Sequence, residues 1–398
     1  MIGTPRLLEI LQLSSAKGSA VEVILQEFFE LEQTDREASL TITAESLFLM
    51  VFGDDATIFS NPHFAERNST VWSLNCRLSP VIFVSPRTSQ DVAKSLALCQ
   101  ILEIKFSIRG GGHLMNPGFT SNNGGVVISM TNFNSVSVSE DQNTVEIGAG
   151  LTWSKVYQEL DPLNLAVTGG RIPSVGVSGL LLGGGLSFHR GTKGLSCNGV
   201  VEYEVVLADS TIVKASATQK KRSLLGSKRR RSEVRHDMRV MSSLPDLEVY
   251  KAANRCRYVQ WEALKHIHGI NIILDIQPIS LNTVRVTNAG IGSPLGIAEK
   301  PQQWLLVMSE WSNQEDEGTV REATRKIINE AEAVARRNGT FLEFKYSNYS
   351  SLDQDPFSTY GKENLDRLRN IARSYDPKGV FQILQNGGWL LDRVGKSH

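Results

Sequence analysis

Residues 108–113 read Ile-Arg-Gly-Gly-Gly-His and close an apolar run, Lys105-Phe-Ser-Ile108, with the composition of a strand. Three successive glycines let neighbouring N–H groups turn toward one point, so the loop can seat an anion such as a phosphate. Alone, such a triplet reads first as a tight turn beside a surface histidine. A companion changes that reading. Val167–Ser187 (VTGGRIPSVGVSGLLLGGGLS) crowds glycines around a Pro173-Ser174-Val175 turn, again between strand-like stretches. Two such loops suit a long, diphosphate-bearing cofactor gripped along its length. The pattern is not the G-x-G-x-x-G of a dinucleotide fold, because the first loop ends in His113 instead of opening an amphipathic helix.

The elements that must position these loops are short. Val81–Val84, an N-capped helix over Ser89–Leu102 and Lys105–Ile108 form a β-α-β unit. Further strands are predicted at Val126–Met130, Val136–Val138, Thr144–Ile147, Val201–Ala208 and Thr211–Lys214. Ahead of them, the apolar spacing of Leu7–Leu31 predicts two helices broken at Gly18. A basic stretch runs from Ala217 to Arg239, and an ill-patterned one continues to about Ile270. Beyond it, Trp304–Met308 reads as a strand, Thr319–Asn338 as a helix with Ile327, Ile328, Ala331 and Ala335 on one face, and Lys362–Ser374 as another helix.

The totals exclude little. With 42 basic and 42 acidic residues in 398, the formal net charge is zero and favours neither nucleic acid nor an anionic membrane as partner. Four cysteines (Cys76, Cys99, Cys197, Cys256) show no metal-ligand spacing, so no metal site is expected and free, buried thiols are the default. Met1–Val23 lacks the layout of a secretory signal, and no run reaches the length of a membrane span, so a cytoplasmic chain is expected as written. The triplets at Asn68, Asn338 and Asn348 fit N-glycosylation but carry little weight without an export signal.

In order, Phe106–His113 (FSIRGGGH), Gly124–Ile128 (GGVVI), Val145–Trp153 (VEIGAGLTW), Gly169–Ser187 and Val205–Asp209 (VVLAD) resemble the flavin-binding half of a known family. It is that of the FAD-linked oxidases of the vanillyl-alcohol-oxidase and berberine-bridge-enzyme type, with a PCMH-type FAD-binding domain. The likeness resumes at Gln277-Pro-Ile279, Leu295-Gly296, Tyr346–Tyr349, Gln354-Asp-Pro356, Tyr360-Gly361 and Tyr375–Gln382. The resemblance implies an oxidoreductase of secondary metabolism that oxidises an alcohol, amine or activated C–H of a small molecule, passes hydride to flavin N5 and is reoxidised by oxygen. It implies FAD bonded covalently to His113, with the backbone from Arg109 through Gly110, Gly111 and Gly112 on the diphosphate. It further assigns cofactor contacts to Gly170, Ser174, Val175, Gly176, Gly179, Gly184, Val213, Asn348 and Gln382. Tyr349 and Tyr346 become the candidate bases, which requires nearby positive charge to lower a tyrosine pKa; amphipathic packing is the competing role. Relatives are often secreted.

This chain departs from the family in three places. Ile172 stands where many members carry a second, cysteinyl linkage, so one bond to the flavin is expected. Cys197-Asn198-Gly199-Val200 replaces the usual Cys-Asp-Asn-Val, removing a carboxylate near the cofactor. Finally, the family's Asp-Leu-Phe-Trp-Ala-Leu-x-Gly-Gly-Gly, followed after two residues by Phe-Gly-Ile-Val-Thr, is missing. Arg222–Arg231 (RSLLGSKRRR) stands in its place. With suitable codons those ten residues, read one base later, encode Asp-Leu-Phe-Trp-Ala-Leu-Asn-Gly-Gly-Gly, and Ser232–Arg235 then give Pro-Lys-Phe-Gly. The segment thus reads as a frameshift or misplaced exon boundary, which the gene's nucleotide sequence decides.

The expected architecture is α+β: a two-lobed PCMH-type FAD-binding domain plus a truncated antiparallel-sheet substrate domain covered by helices. The divisions are an N-terminal helical and extended segment (1–75), the FAD-binding domain (76–218), an aberrant basic segment (219–270), the truncated substrate domain (271–345) and a C-terminal segment contacting the flavin (346–398). Missing strands leave unpaired edges and exposed apolar surface. Two rival readings follow: an inactive remnant that binds no flavin productively, and a nucleic-acid-binding protein acting through the basic run.

Overall fold

The computed structural model describes residues 2–216, 233–289 and 293–395. Residues 217–232 of the basic run, with its shifted segment Arg222–Arg231, lie outside them.

Helices occupy Thr4–Leu11, Ser15–Glu30 and Gln33–Phe52. The break predicted at Gly18 falls instead at Gln12, whose φ of 50° is left-handed; Gly18 lies inside the second helix. Ser14 precedes that helix, and a Gly in a helix is tolerated at modest cost. Leu7, Leu25 and Phe48 from these helices join Leu98 and Phe106 in one core, so the N-terminal helices cover the back of the first sheet.

That sheet contains β1 (Ala56–Ile58), β2 (Ile82–Val84), β3 (Phe106–Arg109) and β4 (Val126–Ser129) in the order β1-β2-β4-β3. The β-α-β unit is present: helix Ser89–Ile101, opened by a reciprocal Thr88–Asp91 capping box, connects β2 to β3. Its two strands are not neighbours, because β4 pairs in parallel with both. Val126, Val127 and Ile128 are all buried, an unbroken apolar run that only a central strand can bury on both faces. The outer edge of β3 is closed by the C-terminal segment, through Phe106 N to Leu384 O (3.0 Å) and Asn386 N to Phe106 O (2.7 Å). Two ribbons follow, β5 (Val136–Val138) with β6 (Val145–Ile147) and β7 (Glu202–Val206) with β8 (Ile212–Ser216).

A second, antiparallel sheet holds β9 (Arg235–Ser243), β10 (Asn271–Ile279), β11 (Gln302–Trp311) and β12 (Phe341–Leu342) in the order β10-β11-β9-β12. Alternation along β11 divides two cores. Leu305, Val307 and Trp311 pack with Ile327 and Ala331 of helix Glu317–Arg337 and Val249 of helix Leu247–Leu264. Trp304 packs with Leu186, Leu195, Val240 and Tyr346. One face is thus covered by helices and the other meets the second glycine stretch. Among the described residues no helix is long and apolar enough to cross a membrane.

The stretch expected to be ill-patterned up to Ile270 is regular from Arg235 onward, and β9 sits inside the sheet. Its strand pattern is concealed in the sequence because its buried positions include His236, Asp237, Arg239, Ser242 and Ser243. Asp237, 1 % exposed, is held by Arg239 Nε (3.1 Å), Arg321 Nη1 (3.2 Å) and the Ser351 hydroxyl (2.7 Å), and Arg239 also reaches Asp353 at 2.5 Å. Apolar side chains remain exposed on helix Leu247–Leu264 (Leu247, Tyr258, Val259) and on edge strand β10 (Ile273). Breaking a buried charge cluster strands the surviving charges. Asp237→Asn is therefore predicted to destabilise the protein by roughly 3 kcal/mol, read as a lower urea midpoint with unchanged slope.

Candidate active site

The first glycine loop leaves β3 and meets the second glycine stretch backbone to backbone. A Cβ at Gly176 would stand 2.5 Å from Gly111 N, and one at Gly111 would strike Gly176 Cα. Gly112, at φ +63°, completes the turn that returns the chain past Thr70. The second stretch is fixed from behind by Trp153 N to Val175 O (3.0 Å) and Val177 N to Leu151 O (3.0 Å). Gly170 is packed against the Trp153 indole, and its carbonyl accepts from Tyr157 Oη at 2.8 Å. Gly179 faces open space, with nothing within 4 Å of an added Cβ.

His113 lies between these loops. Its Nε2 is 3.0 Å from Ser174 Oγ, and its ring stacks on Trp72 at 4.3 Å and 11°. Trp72 also stacks on buried His236 at 3.7 Å, and His236 Nε2 lies 3.5 Å from Glu310. That partner holds the Glu310 carboxyl below its usual range, against the effect of burial. The Arg109 side chain points elsewhere: it donates to the carbonyls of Thr120 and Arg67 and to Thr70 Oγ1, lies over Phe83, and burial pulls it down to about 10. Its backbone is what leads into the loop.

The C-terminal segment docks on the opposite side of the second glycine stretch. Tyr346 Oη accepts from Gly185 N and from Asn348 Nδ2, both at 3.0 Å. Asn348 Nδ2 also donates to Leu180 O at 3.1 Å, while its side chain fills the space beside Gly183. Tyr349 Oη accepts from Arg171 Nη2 at 3.1 Å, and Arg171 Nη1 reaches Gln277 Oε1 at 2.9 Å. Burial pushes both tyrosines up. They differ in surroundings: Arg171 and Arg190 oppose the rise at Tyr349, whereas Tyr346 is fully enclosed and stacked on Trp304 at 4.8 Å. Only Tyr349 therefore has the positive charge that a base requires.

Gly184, at φ +101°, turns the chain beneath Tyr346 and Leu195. Val213 pairs with Val205 in the ribbon that packs on helix Ser89–Ile101, and Gln382 accepts from Asp392 N in the C-terminal turn. Asn198 donates to Thr287 O at 3.2 Å, a bond that an aspartate could not make. Cys76 and Cys99 are buried free thiols, while Cys197 and Cys256 are only half-buried. The residues present suit FAD. The two loops bring a side-chain-free backbone together where a diphosphate needs N–H groups. Along the same stretch Leu182 is exposed, apolar surface of the kind a planar ring covers.

These features define a flavin-binding fold. Residues 80–216 match the FAD binding domain family and residues 345–386 the berberine and berberine-like family. The chain thus resembles the FAD-linked oxidoreductases, through an FAD-binding domain in residues 80–216 and a berberine-like segment in residues 345–386. It is similar to the FAD-dependent monooxygenase yanF of Aspergillus niger, 25% identical over 470 residues that take in 90% of this chain and 81% of that protein. That alignment is longer than this chain of 398 residues, so the relative carries segments without counterpart. Among solved structures, Physcomitrella patens BBE-like 1 superposes with a TM-score of 0.62 at 15% identity, covering 87% of this chain and 99% of that one. The glucooligosaccharide oxidase of Acremonium strictum, described with a 6-S-cysteinyl, 8α-N1-histidyl FAD, superposes at 0.55 and 16% identity over 82% and 95%. The shared architecture is the expected α+β fold.

Two alanine substitutions separate packing from ligand contact. Gly176→Ala is predicted to destabilise flavin-free protein by roughly 1–3 kcal/mol, since two backbones must part. Gly179→Ala, in a helix facing open space, is predicted to stabilise it by up to about 1 kcal/mol. Urea denaturation of both proteins checks the opposite signs.

Proposed function

We propose that this chain oxidises an alcohol, amine or activated C–H group of a small molecule, using FAD bonded covalently through His113. When bound, FAD takes the hydride at N5 and passes the electrons to oxygen. The observation that carries the reading is the convergence of His113, the second glycine stretch and the Arg171–Tyr349 pair on one locus. Ser174 and Trp72 hold the His113 ring in one orientation. Tyr349 removes the substrate proton, with Arg171 favouring the phenolate. Tyr346 and Asn348 position Tyr349 by tying its segment to Gly185 and Leu180. Gly110, Gly111, Gly112, Val175 and Gly176 offer backbone to the diphosphate. The histidyl flavin of the Acremonium oxidase supports the covalent assignment.

A remnant that holds no flavin is the second reading, favoured by the segments that yanF carries and this chain lacks. The absorbance of purified protein before and after acid precipitation decides between them. Yellow colour in the precipitate, lost in His113→Ala, is the expected result; colourless soluble wild-type protein made with ample flavin would favour the remnant.

A pH profile tests the base. Burial raises Tyr349, so activity should climb with pH toward and beyond 10 as the phenolate forms. Arg171 lowers that pKa, so Arg171→Gln should move the limb to higher pH and reduce activity at fixed pH. Tyr349→Phe should lower kcat by about 100-fold, whereas Tyr346→Phe should lower stability by about 1 kcal/mol and leave the profile's limb in place.

A further inference from the structure

Arg171 and Arg190 approach the same corner of β10 from the second glycine stretch. Arg171 binds the Gln277 side chain and the Tyr349 hydroxyl. Arg190 donates to the carbonyl of the next residue, Pro278, through Nε (3.4 Å) and Nη2 (3.3 Å), and to Ser187 O through Nη1 (3.3 Å). Every one of these acceptors is an uncharged oxygen. Among the described residues neither guanidinium has a carboxylate within 4.0 Å, whereas Arg235 and Arg239 on β9 each meet one. The charge of Asp275 reaches Arg190, but its carboxylate accepts from the Gln277 amide. Two half-buried cations beside each other repel, and burial together with Arg171 lowers the proton affinity of Arg190, which Asp275 offsets only in part. An oxyanion placed between them removes that repulsion and finds unused donors, since each guanidinium carries five. Exposed Ile172 follows Arg171 directly, and exposed Phe188 lies two residues before Arg190, so the surface flanking the charges is apolar.

We propose that Arg171 and Arg190 form an oxyanion-recognition site, and that the molecule oxidised beside Tyr349 carries a carboxylate or an ionised phenol or enol on an apolar, aromatic body. That this molecule is the substrate rests on the oxidase reading; the anion site itself does not. Substrate charge is fixed here by the two arginines, and Tyr349 sits within the same field, so the anion also sets the distance of the reacting group from the base.

Isothermal titration calorimetry of the flavin-loaded protein with benzoate and with its uncharged analogue benzamide tests the site. The expected result is benzoate binding at least about tenfold tighter than benzamide. Arg171→Gln and Arg190→Gln should each weaken benzoate by about tenfold and leave benzamide within about twofold, and Arg190→Lys should keep part of the preference. Added salt should weaken benzoate alone. Equal affinity for the two ligands in wild-type protein overturns the proposal, as does an arginine variant that weakens both ligands alike. Should a variant unfold, the wild-type ratio decides by itself. A preparation without flavin contradicts the oxidase reading, and the same titration on it still decides the anion site. Inorganic phosphate serves as the third arm: binding of phosphate with no binding of benzoate would assign the pair to a phosphate group and overturn the proposal.

Discussion

The site depends on one steric fact, the contact of Gly111 with Gly176. Two loops far apart in sequence touch through backbone, and no other residue type permits that distance at either position. From it the rest of the geometry follows. The Pro173-Ser174-Val175 turn is brought beside His113, and the pairing of Val175 and Val177 with Trp153 and Leu151 anchors the contact to the β5–β6 ribbon side of the domain.

The second glycine stretch then serves as a hub with two faces. One touches the first loop. The other receives Tyr346, Asn348 and Tyr349, whose segment is in turn tied to the second sheet through Ser351, Gln354 and the Asp237–Arg239 cluster on β9. This chain of contacts couples the geometry of the second sheet to the glycine loops. It also explains why β9 has polar residues inside: a buried ion cluster specifies which segment docks there, where an apolar surface would accept many.

Much of this was legible from sequence, for physical reasons. Glycine crowding around Gly110–Gly112 and Gly169–Gly185 announces close backbone approach, and the strands predicted before Ala217 appear near their places because they carry an apolar run (Val126–Ile128) or two-residue alternation (Val136–Val138, Val145–Ile147), whereas β1 has too short a signal to be predicted. What escaped has no local signal. Trp72 stacks on both His113 and His236, which come from segments distant in sequence, and nothing in the neighbours of Trp72 or His236 marks either. Arg171 lay within the recognised stretch, yet its role emerges only when Gln277 and Tyr349 fold onto it. The β9 strand was hidden by its buried Asp237 and Arg239. The third N-terminal helix, Gln33–Phe52, was missed because its apolar residues are spread around its circumference. Of the two tyrosines, the sequence gives no means of ranking them; the enclosure of Tyr346 and the cation at Tyr349 do.

The glycine loops, His113 and the C-terminal segment together form a site suited to a flavin although the neighbouring segment departs from the family. Titration of FAD into flavin-free protein, followed by quenching of flavin fluorescence, tests it most directly. The account predicts saturable binding of one equivalent, weakened when Gly111 or Gly176 is enlarged. Folded protein that leaves flavin fluorescence unchanged at saturating concentrations would contradict it.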